Sequence, residues 1–181
     1  MNKSERRSKT CALIPIYNEE NFIFEVINKT LPFVDKIFVV NDGSTDNSVN
    51  IIKDIQKIEI INHSNNQGKG KALFTGLSRI INDNFDFVIT LDGDLQHDPS
   101  YIPHFIKALE KYDFVIGNRL NNLKDMPLQR IASNKITSFL ISIKSGKKIL
   151  DSQSGYRGFK VKYLEKYLPT KNGYEAESEM I

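Results

Sequence analysis

Short apolar runs alternate with longer amphipathic segments along the first 120 residues of the chain. The apolar runs are rich in Val, Ile and Phe, and Asn, Asp, Gly or Pro follows most of them, a pattern typical of β-strands. The predicted strands are Cys11–Ile16, Lys36–Val40, Ile58–Ile61, Phe85–Leu91 and Asp113–Gly117.

The segments between these strands space their apolar residues three or four positions apart, which predicts helices that bury one face. The predicted helices are Glu20–Leu31, Asn47–Ile55, Lys69–Ile81 and Pro99–Tyr112. Ser44 or Asp46 is placed to cap the second helix, and Asp98-Pro99 opens the fourth. Strands that alternate with helices of this length predict parallel crossovers and an open α/β sheet with helices on both faces.

The pattern changes after residue 120, where Arg130–Ile143 is predicted as a helix, Gln153–Lys160 as a late strand and Val161–Tyr167 as a short helix. The length of 181 residues suits one domain with one sizeable core. We therefore predict a single α/β domain over residues 11–181, preceded by a flexible basic segment over residues 1–10.

Composition and charge narrow the classes of partner. The formal net charge is +3, and the basic residues form no run longer than Arg6-Arg7 and Lys147-Lys148. Nucleic-acid binding usually needs basic residues gathered on one face, so we predict no nucleic-acid partner. A mild positive excess remains compatible with a nucleotide diphosphate or with an acidic membrane surface.

Cys11 is the single cysteine, so an intrachain disulfide and a thiolate zinc site are both excluded. No run of about eighteen apolar residues occurs, and the six apolar residues after Thr10 are too few for a signal peptide. We expect a cytoplasmic protein and leave open peripheral contact with the inner face of a membrane.

Four polar clusters follow predicted strands, at the edge of an open α/β sheet where ligands bind. They are Pro15-Ile16-Tyr17-Asn18-Glu19, Asn41-Asp42-Gly43-Ser44-Thr45-Asp46, Asp92-Gly93-Asp94-Leu95-Gln96-His97 and Gly117-Asn118-Arg119. One polar loop is weak evidence, because loops are polar in general. Four at one edge predict a ligand site there.

The Asp92-Gly93-Asp94 turn carries the main chemical hypothesis. Two carboxylates two residues apart repel each other unless a cation lies between them, and hard oxygen ligands suit Mg²⁺ or Mn²⁺. Gln96 offers a further amide oxygen. An Asx-type turn that caps the next helix is the simpler interpretation, but the position after a fully apolar strand favours the metal site.

Other candidates have simpler interpretations beside the functional one. Asp42 is expected to reach the ligand, while Arg119 and Arg130 could pair with phosphate although either could be an ordinary surface residue. Gly68-Lys69-Gly70-Lys71 lacks the spacing of a Walker phosphate loop. It could approach an anion or be a solvated loop. Of the three histidines, His97 is the one expected near the site.

The order of the motifs along the chain resembles that of the family 2 glycosyltransferases with the GT-A fold. The motifs are the four clusters together with Asn66-Gln67-Gly68-Lys69-Gly70 and Asp151-Ser152-Gln153-Ser154-Gly155-Tyr156-Arg157. The resemblance is strongest to the branch that transfers sugars to polyprenyl phosphates such as dolichol phosphate. It extends from about residue 10 to residue 181, with Gly173 to Met180 similar to the acidic helix of that branch.

The resemblance implies a metal-dependent inverting glycosyltransferase that uses a UDP- or GDP-sugar, with a polyprenyl phosphate or a glycan hydroxyl as acceptor. Pro15, Tyr17, Glu19, Asp42, Asp92 and Gly93 then match the nucleotide-binding positions. Asp92, Asp94 and Gln96 match the metal site, which would hold Mg²⁺ or Mn²⁺. Asp94, Arg119 and Arg130 match positions that act on the reacting phosphates.

The type of acceptor decides whether a base is needed. A lipid phosphate is already an anionic nucleophile, whereas a hydroxyl acceptor would need a carboxylate to take its proton. Glu175, Glu177 and Glu179 are the candidates for that base, against the simpler interpretation of a solvated helix face.

Two other functions remain open at this point. One is a catalytically weak nucleotide-sugar-binding module, because the chain stops at Ile181 where relatives usually continue. The other is a nucleotidyltransferase, which typically carries Gly, Arg or Lys in the loop after the first strand. Pro15–Asn21 has none of these residues, which argues against a nucleotidyltransferase.

Overall fold

The structure is a computed structural model that describes residues 7–118, 137–139, 142–143, 146, 149–173 and 175–181. Its strands are β1 (Thr10–Ile16), β2 (Lys36–Asn41), β3 (Ile58–Asn62), β4 (Phe87–Thr90), β5 (Phe114–Ile116) and β6 (Arg157–Lys160). Its helices are α1 (Ile23–Thr30), α2 (Ser48–Ile52), α3 (Lys69–Ile81), α4 (Ile102–Leu109) and α5 (Glu175–Glu179). Short 3₁₀ helices cover Leu31–Phe33, Pro99–Tyr101 and Val161–Tyr167.

The six strands form one sheet in the order β3-β2-β1-β4-β6-β5. β1 pairs in parallel with β2 and β4, and β2 pairs in parallel with β3. β6 lies antiparallel between β4 and β5. The predicted α/β domain with a mostly parallel sheet is therefore confirmed, and one reversed strand is added to it.

The reversed strand brings a late part of the chain to the carboxyl ends of the parallel strands. Arg157, the first residue of β6, pairs with Thr90 at the end of β4 and with Ile116 at the end of β5. The Thr90 hydroxyl donates to the Gly155 carbonyl at 2.8 Å, and the Gly117 amide donates to the Tyr156 carbonyl at 2.8 Å. The residues just before β6 thus lie at the predicted ligand edge.

Two apolar layers cover the sheet, because successive residues of each strand point to opposite faces. Ala12 and Ile14 pack with α1, α2 and α4 on one face. Cys11 and Leu13 pack with α3 and with the segment after β6 on the other. The thiol of Cys11 is buried, and burial raises its pKa well above the ordinary value. This confirms Cys11 as a core residue.

Element boundaries differ from the predicted ones where the chain turns. The helix predicted from Glu20 begins at Ile23, because residues 17–22 form a loop bonded to the neighbouring strand end. The strand predicted from Gln153 begins at Arg157, and Val161–Tyr167 is a 3₁₀ helix. Of the helix predicted over Arg130–Ile143, residues 137–139 and 142–143 are helical and the remainder lies outside the described residues.

Among the helices that the structure describes, none combines the length and the apolar character needed to cross a membrane. Residues 1–6 of the predicted flexible segment lie outside the described residues.

Candidate active site

The loops after β1 and β2 are joined by hydrogen bonds from backbone amides to side chains. Ser44 Oγ accepts from the Asn18 amide at 3.0 Å, and Ser48 Oγ accepts from the Glu19 amide at 2.8 Å. Asp46 accepts from the Glu20 amide at 3.0 Å and also from the Ser48 amide at the start of α2. The N-cap of α2 is Asn47, so neither Ser44 nor Asp46 is the cap as predicted, but Asp46 binds the first amide of α2 and fixes the loop that carries the predicted nucleotide-binding residues.

Three predicted nucleotide-binding residues lie at the end of β1. Pro15 is half-buried within the strand, and Tyr17 just beyond it is 45% exposed. Asn18 has a positive φ of 58°, which turns the chain sharply before Glu19. The turn leaves an exposed aromatic side chain beside a partly buried carboxylate.

Asp42 is buried and bonded to the loop before α3. Its Oδ1 accepts from the Gln67 amide at 3.0 Å, and its Oδ2 accepts from the Gly68 amide at 2.8 Å. Nδ1 of His63 lies 2.7 Å from the same Oδ1, and Nε2 of His63 lies 2.9 Å from the Thr75 hydroxyl. Asp42 thus holds the loop that leads into α3, whereas its contact with a nucleotide stays a prediction.

The Asp92-Gly93-Asp94 turn is held by His97 and by the residues around it. The Asp92 amide donates to His97 Nδ1 at 3.0 Å, so in this arrangement the ring carries its proton on Nε2. His97 is buried and stacks on Tyr156 with the ring centroids 5.1 Å apart. Gly93 is buried against Ile16 and Glu19. The predicted proximity of His97 to the turn is confirmed, with a role in holding the backbone.

Asp94 and Gln96 form the outer part of the same turn. Oδ1 of Asp94 accepts from the Gln96 amide at 3.0 Å, and Leu95 between them has a positive φ of 63°. This is an Asx-type turn, so the simpler interpretation of Asp94 holds for one carboxylate oxygen. The Gln96 side chain is exposed.

Negative charge accumulates where the ends of β1 and β4 meet. The pKa of Glu19 is raised above its ordinary value by burial first and then by the charges of Asp94 and Asp92. Glu19 therefore lies close enough to Asp94 and Asp92 to be affected by their negative charges. A bound cation would relieve this repulsion, so the charge of this edge suits the metal hypothesis.

The described residues contain no group of three or more His, Cys, Asp or Glu side chains arranged to hold a metal ion. Mg²⁺ in nucleotide sites is usually held by one or two carboxylates together with phosphate oxygens and water. Asp92 and Asp94 can supply those carboxylates, and a diphosphate would have to supply further ligands. The donor set fits a metal that arrives with a nucleotide.

Lys69, which the sequence left as either an anion contact or part of a solvated loop, lies at the centre of the site. Its Nζ is 2.7 Å from Oδ1 of Asp92 and 2.6 Å from Oε1 of Glu177 in α5. Burial acts to lower the pKa of Lys69, but the two carboxylates outweigh it and the pKa is raised. Lys69 is thus a partly buried ammonium that bridges the turn after β4 and the acidic helix.

Gly155 provides the space for this bridge. A Cβ at this position would lie 2.9 Å from Asp92 Oδ1, 2.9 Å from Glu177 Oε1 and 3.0 Å from Lys69 Nζ. Any side chain here would collide with all three charged groups. The signal in the sequence was the glycine between Ser154 and Tyr156, but its partners could not be read from the sequence.

A second close approach brings α5 to the start of α3. The Gly70 amide donates to the Asn172 carbonyl at 2.7 Å, and a Cβ on Gly70 would lie 2.1 Å from the Lys171 carbonyl oxygen. The two glycines that flank Lys69 therefore allow the segment before α5 to lie against the helix start. The repeated glycine spacing was the available signal in the sequence. It marks a close contact between two segments of the same chain.

The three candidate bases of the acidic helix are placed differently. Glu177 is buried in its ion pair with Lys69. Glu179 accepts from the Thr170 hydroxyl and from the Lys171 amide, and these hydrogen bonds lower its pKa. Glu175 is exposed. A lowered pKa makes Glu179 a weaker base, and the ion pair occupies Glu177.

Arg119 and Arg130 lie outside the described residues, so their predicted roles stay predictions. Arg157 is described and has a structural role. It is 1% exposed, its Nε donates to the Ser154 carbonyl at 2.7 Å, and an Nη donates to the Ser152 carbonyl at 2.9 Å. Arg157 therefore shapes the bend that carries Gly155 into the site.

The fold and the site together define a class of protein. An open, mostly parallel sheet of this kind is shared with solved GT-A glycosyltransferases. Glucosyl-3-phosphoglycerate synthase from Mycobacterium tuberculosis, in complex with Mn²⁺, UDP and glucosyl-3-phosphoglycerate, superposes with a TM-score of 0.75 at 21% identity. The match covers 96% of this chain and 64% of that chain, and it establishes the GT-A fold.

Residues 11–168 match glycosyl transferase family 2, and the chain belongs to this family of enzymes. A UDP-N-acetylglucosamine–dolichyl-phosphate N-acetylglucosaminyltransferase of Methanococcus voltae is 34% identical, over 93% of this chain and 77% of that protein. An undecaprenyl-phosphate 4-deoxy-4-formamido-L-arabinose transferase of Proteus mirabilis is 30% identical over 77% of this chain. This chain spans 45% of the length of the Proteus enzyme. The predicted resemblance to the polyprenyl-phosphate branch is confirmed.

Proposed function

We propose that this glycosyltransferase moves a sugar from a UDP- or GDP-sugar to a polyprenyl phosphate, with inversion at the anomeric carbon and with a divalent cation. The observation that carries the proposal is the acidic edge of the sheet, where Asp92 and Asp94 follow β4 and Glu19 packs against Gly93 between them. The two relatives named above, one a dolichyl-phosphate transferase and the other an undecaprenyl-phosphate transferase by name, support the acceptor class.

On this proposal the nucleotide lies over the ends of β1 and β2, beside Pro15, Tyr17 and Glu19. Tyr17 presents an exposed ring on which a base could stack, and the hydrogen bonds of Ser44, Asp46 and Ser48 fix the loop beneath it. Asp42, at the end of β2, would stabilise this surface because its carboxylate accepts from two backbone amides of the loop before α3.

Asp92 and Asp94 would hold Mg²⁺ or Mn²⁺, which supplies stabilisation of the negative charge on the departing diphosphate. The bond between the anomeric carbon and the diphosphate oxygen breaks as the carbon takes on oxocarbenium character. The acceptor phosphate oxygen forms the new bond from the opposite face. Arg119 and Arg130 are proposed to pair with the phosphates, since guanidinium groups match their geometry.

The state of the acidic helix favours an anionic acceptor over a hydroxyl. A hydroxyl needs a carboxylate to accept its proton, whereas a phosphate monoester attacks without one. Of the three candidate bases in α5, Glu177 is ion-paired with Lys69 and Glu179 accepts hydrogen bonds from the segment at Thr170, which leaves the exposed Glu175 for a hydroxyl acceptor. A glycan hydroxyl is therefore the second choice of acceptor.

The donor is tested by thermal shift with UDP-Glc, UDP-GlcNAc, UDP-Gal and GDP-Man, each with and without Mn²⁺. We expect one donor to raise the melting temperature in a metal-dependent way, because a ligand that binds only the folded state stabilises it. The variant Asp94→Asn should lose the metal dependence, and Asp54→Asn, at an exposed aspartate in the turn after α2, should keep it. Equal stabilisation by every nucleotide without metal would contradict the proposal.

Transfer itself is tested with the stabilising donor, radiolabelled in its sugar, and undecaprenyl or dolichyl phosphate in detergent. The expected product is a radiolabelled lipid that extracts into the organic phase, formed with Mg²⁺ or Mn²⁺ and lost by at least about a hundredfold in Asp94→Asn. A donor that binds with metal but yields no labelled product with lipid phosphate or glycan would identify the chain as a nucleotide-sugar-binding module.

A further inference from the structure

Lys69 occupies a position that the proposed reaction does not explain. It is the first residue of α3, its side chain is 19% exposed, and its ammonium contacts one carboxylate of the proposed metal turn and one carboxylate of α5. In the proposed function Asp92 is a metal ligand, yet here its Oδ1 is 2.7 Å from a lysine. While Lys69 keeps this ion pair, its positive charge opposes the approach of a divalent cation to the same carboxylate.

The surroundings of Lys69 show that the ion pair is a built feature of the fold. The glycines on either side, Gly68 and Gly70, bring the segment at Lys171 and Asn172 against the helix start. Gly155 leaves space that any side chain would fill, and Asp42 holds the Gly68 amide. Four parts of the chain therefore converge to place one ammonium between Asp92 and Glu177.

The charges explain why such an ammonium is needed. The carboxylates of Asp92 and Glu177 both lie within 2.7 Å of the same nitrogen. They are thus near each other in a largely buried space, where two unpaired like charges are costly. Lys69 offsets that cost in the protein that holds no metal. It also competes with a divalent cation for Asp92.

Resting on the proposed function, we infer that Lys69 is an internal counter-ion that prevents tight metal binding until the nucleotide diphosphate is present. The diphosphate brings oxygens that can take over the ammonium, which releases Asp92 to the metal. Lys69 is in this sense a positioning residue, since it acts through Asp92, and it makes metal and donor bind together.

The test is the affinity of the protein for Mn²⁺ alone, measured from the EPR signal of free Mn²⁺. The variant Lys69→Met keeps the length of the side chain and removes its charge. We expect it to bind Mn²⁺ about tenfold to a hundredfold more tightly than the unmodified chain, the effect of losing one competing charge-assisted hydrogen bond.

Two further variants separate release of Asp92 from a general gain of negative charge. Lys71→Met removes the same charge two residues away, where the ammonium lies over the ring of Phe74, and it should leave Mn²⁺ affinity within about twofold of the unmodified chain. The double variant Lys69→Met/Glu177→Gln keeps the net charge unchanged and still frees Asp92. It should bind Mn²⁺ more tightly, and it carries the test if the single variant does not fold.

Saturating UDP should reduce the difference between Lys69→Met and the unmodified chain, because the diphosphate then competes for Lys69. An unchanged Mn²⁺ affinity in both Lys69 variants would overturn the inference. An equal gain in Mn²⁺ affinity in Lys71→Met would also overturn it. The same holds for a gain in affinity that disappears in the double variant, or for one that UDP does not reduce. These measurements need no sugar transfer. If the Mn²⁺ results contradict the inference while transfer activity is normal, the proposed function stays intact. If the Mn²⁺ results are as expected but no transfer occurs, only the proposed function is refuted.

Discussion

Glu19 belongs to the proposed site, and its ionised carboxylate lowers the stability of the folded protein. Its pKa is raised by burial and by Asp94 and Asp92, so the folded protein holds the proton more tightly than the unfolded chain does. A carboxyl with a raised pKa destabilises the folded state once it ionises, and stability falls as the pH rises above the ordinary value of 4.5.

We therefore predict that Glu19→Gln raises the melting temperature at pH 8, and that the difference disappears below about pH 4, where the native carboxyl is protonated. The measurement is a series of melting curves across this pH range. Glu20→Gln serves as the control, since Glu20 is exposed in the same loop, although its carboxylate accepts from the Asn47 amide. A lower melting temperature for Glu19→Gln at pH 8 would show that burial and the charges of Asp92 and Asp94 do not destabilise the ionised Glu19.

Gly155 leads to a second prediction at this scale. The change Gly155→Ala places a methyl group within 3.0 Å of the three charged atoms around Lys69, so the ion pairs must separate. We expect a loss of about 1–3 kcal/mol in the free energy of unfolding, the usual cost of overpacking, and a fall in transfer activity.

Gly146→Ala is the matched control for Gly155→Ala. A Cβ at Gly146 meets nothing within 4 Å, although its φ of +66° makes the alanine somewhat strained. We expect a modest loss of stability, measured by urea unfolding, with transfer activity retained. Full activity in Gly155→Ala would contradict the importance of the space around the bridge.

At the level of residues, the sequence identified the acidic turn and missed the ammonium beside it. Asp92 and Asp94 could be predicted because two carboxylates after an apolar strand form a local pattern. The partnership of Lys69 with Asp92 and Glu177 joins positions 23 and 108 residues away from it along the chain. Such a contact depends on how α5 packs on α3, which periodicity does not encode.

Among the elements, the loop before α3 is the one most dependent on a single side chain. Asp42 accepts the Gln67 and Gly68 amides and contacts His63, which in turn contacts Thr75 in α3. The loop has few other described bonds between its backbone and the sheet, apart from the His63 amide, which donates to the Asn41 carbonyl at 2.9 Å.

We predict that Asp42→Asn weakens this attachment, because an amide in place of the carboxylate cannot accept from all three donors equally well. The Gln67 and Gly68 amides should exchange with solvent at least about tenfold faster, which corresponds to a loss of roughly 1.4 kcal/mol of local stability. Hydrogen exchange followed by NMR measures this. The amides of α1, which Asp42 does not touch, are the internal control and should keep their rates.

The elements themselves were largely predictable, and their ends were not. The strands β1, β2 and β3 begin or end within one residue of the predicted positions, since continuous apolar runs mark buried strands. Helix α1 starts three residues later than predicted because Asn18, Glu19 and Glu20 are bonded to the loop after β2. Those bonds are tertiary, so the apolar spacing that predicted the helix could not show where it begins.

For the molecule as a whole, the buried residues of β6 connect the edge strand β5 to the parallel strands of the sheet. Phe159 is fully buried, and its ring stacks on that of Phe114 in β5 with the centroids 4.8 Å apart. Through Val88 in β4 it also joins the parallel part of the sheet. The late strand is thus part of the same core as the first four strands.

We predict that Phe159→Ala lowers the free energy of unfolding by about 3–5 kcal/mol, as expected for a large buried ring. Far-ultraviolet circular dichroism and tyrosine fluorescence in urea should give the same transition if the domain unfolds as one unit. Phe24→Ala is the control, because Phe24 is 52% exposed and its loss should cost no more than about 1 kcal/mol. Two separate transitions in the unmodified chain would contradict a single core.

The reversal of β6 has a consequence for how such enzymes diversify. The chain leaves the sheet at the end of β5 and returns at the start of β6, and both points lie on the edge where the acidic turn sits. Whatever connects them can change in length or content without shifting the pairing of any strand. Relatives of this enzyme can therefore differ between β5 and β6 while they keep the strands that carry the acidic turn.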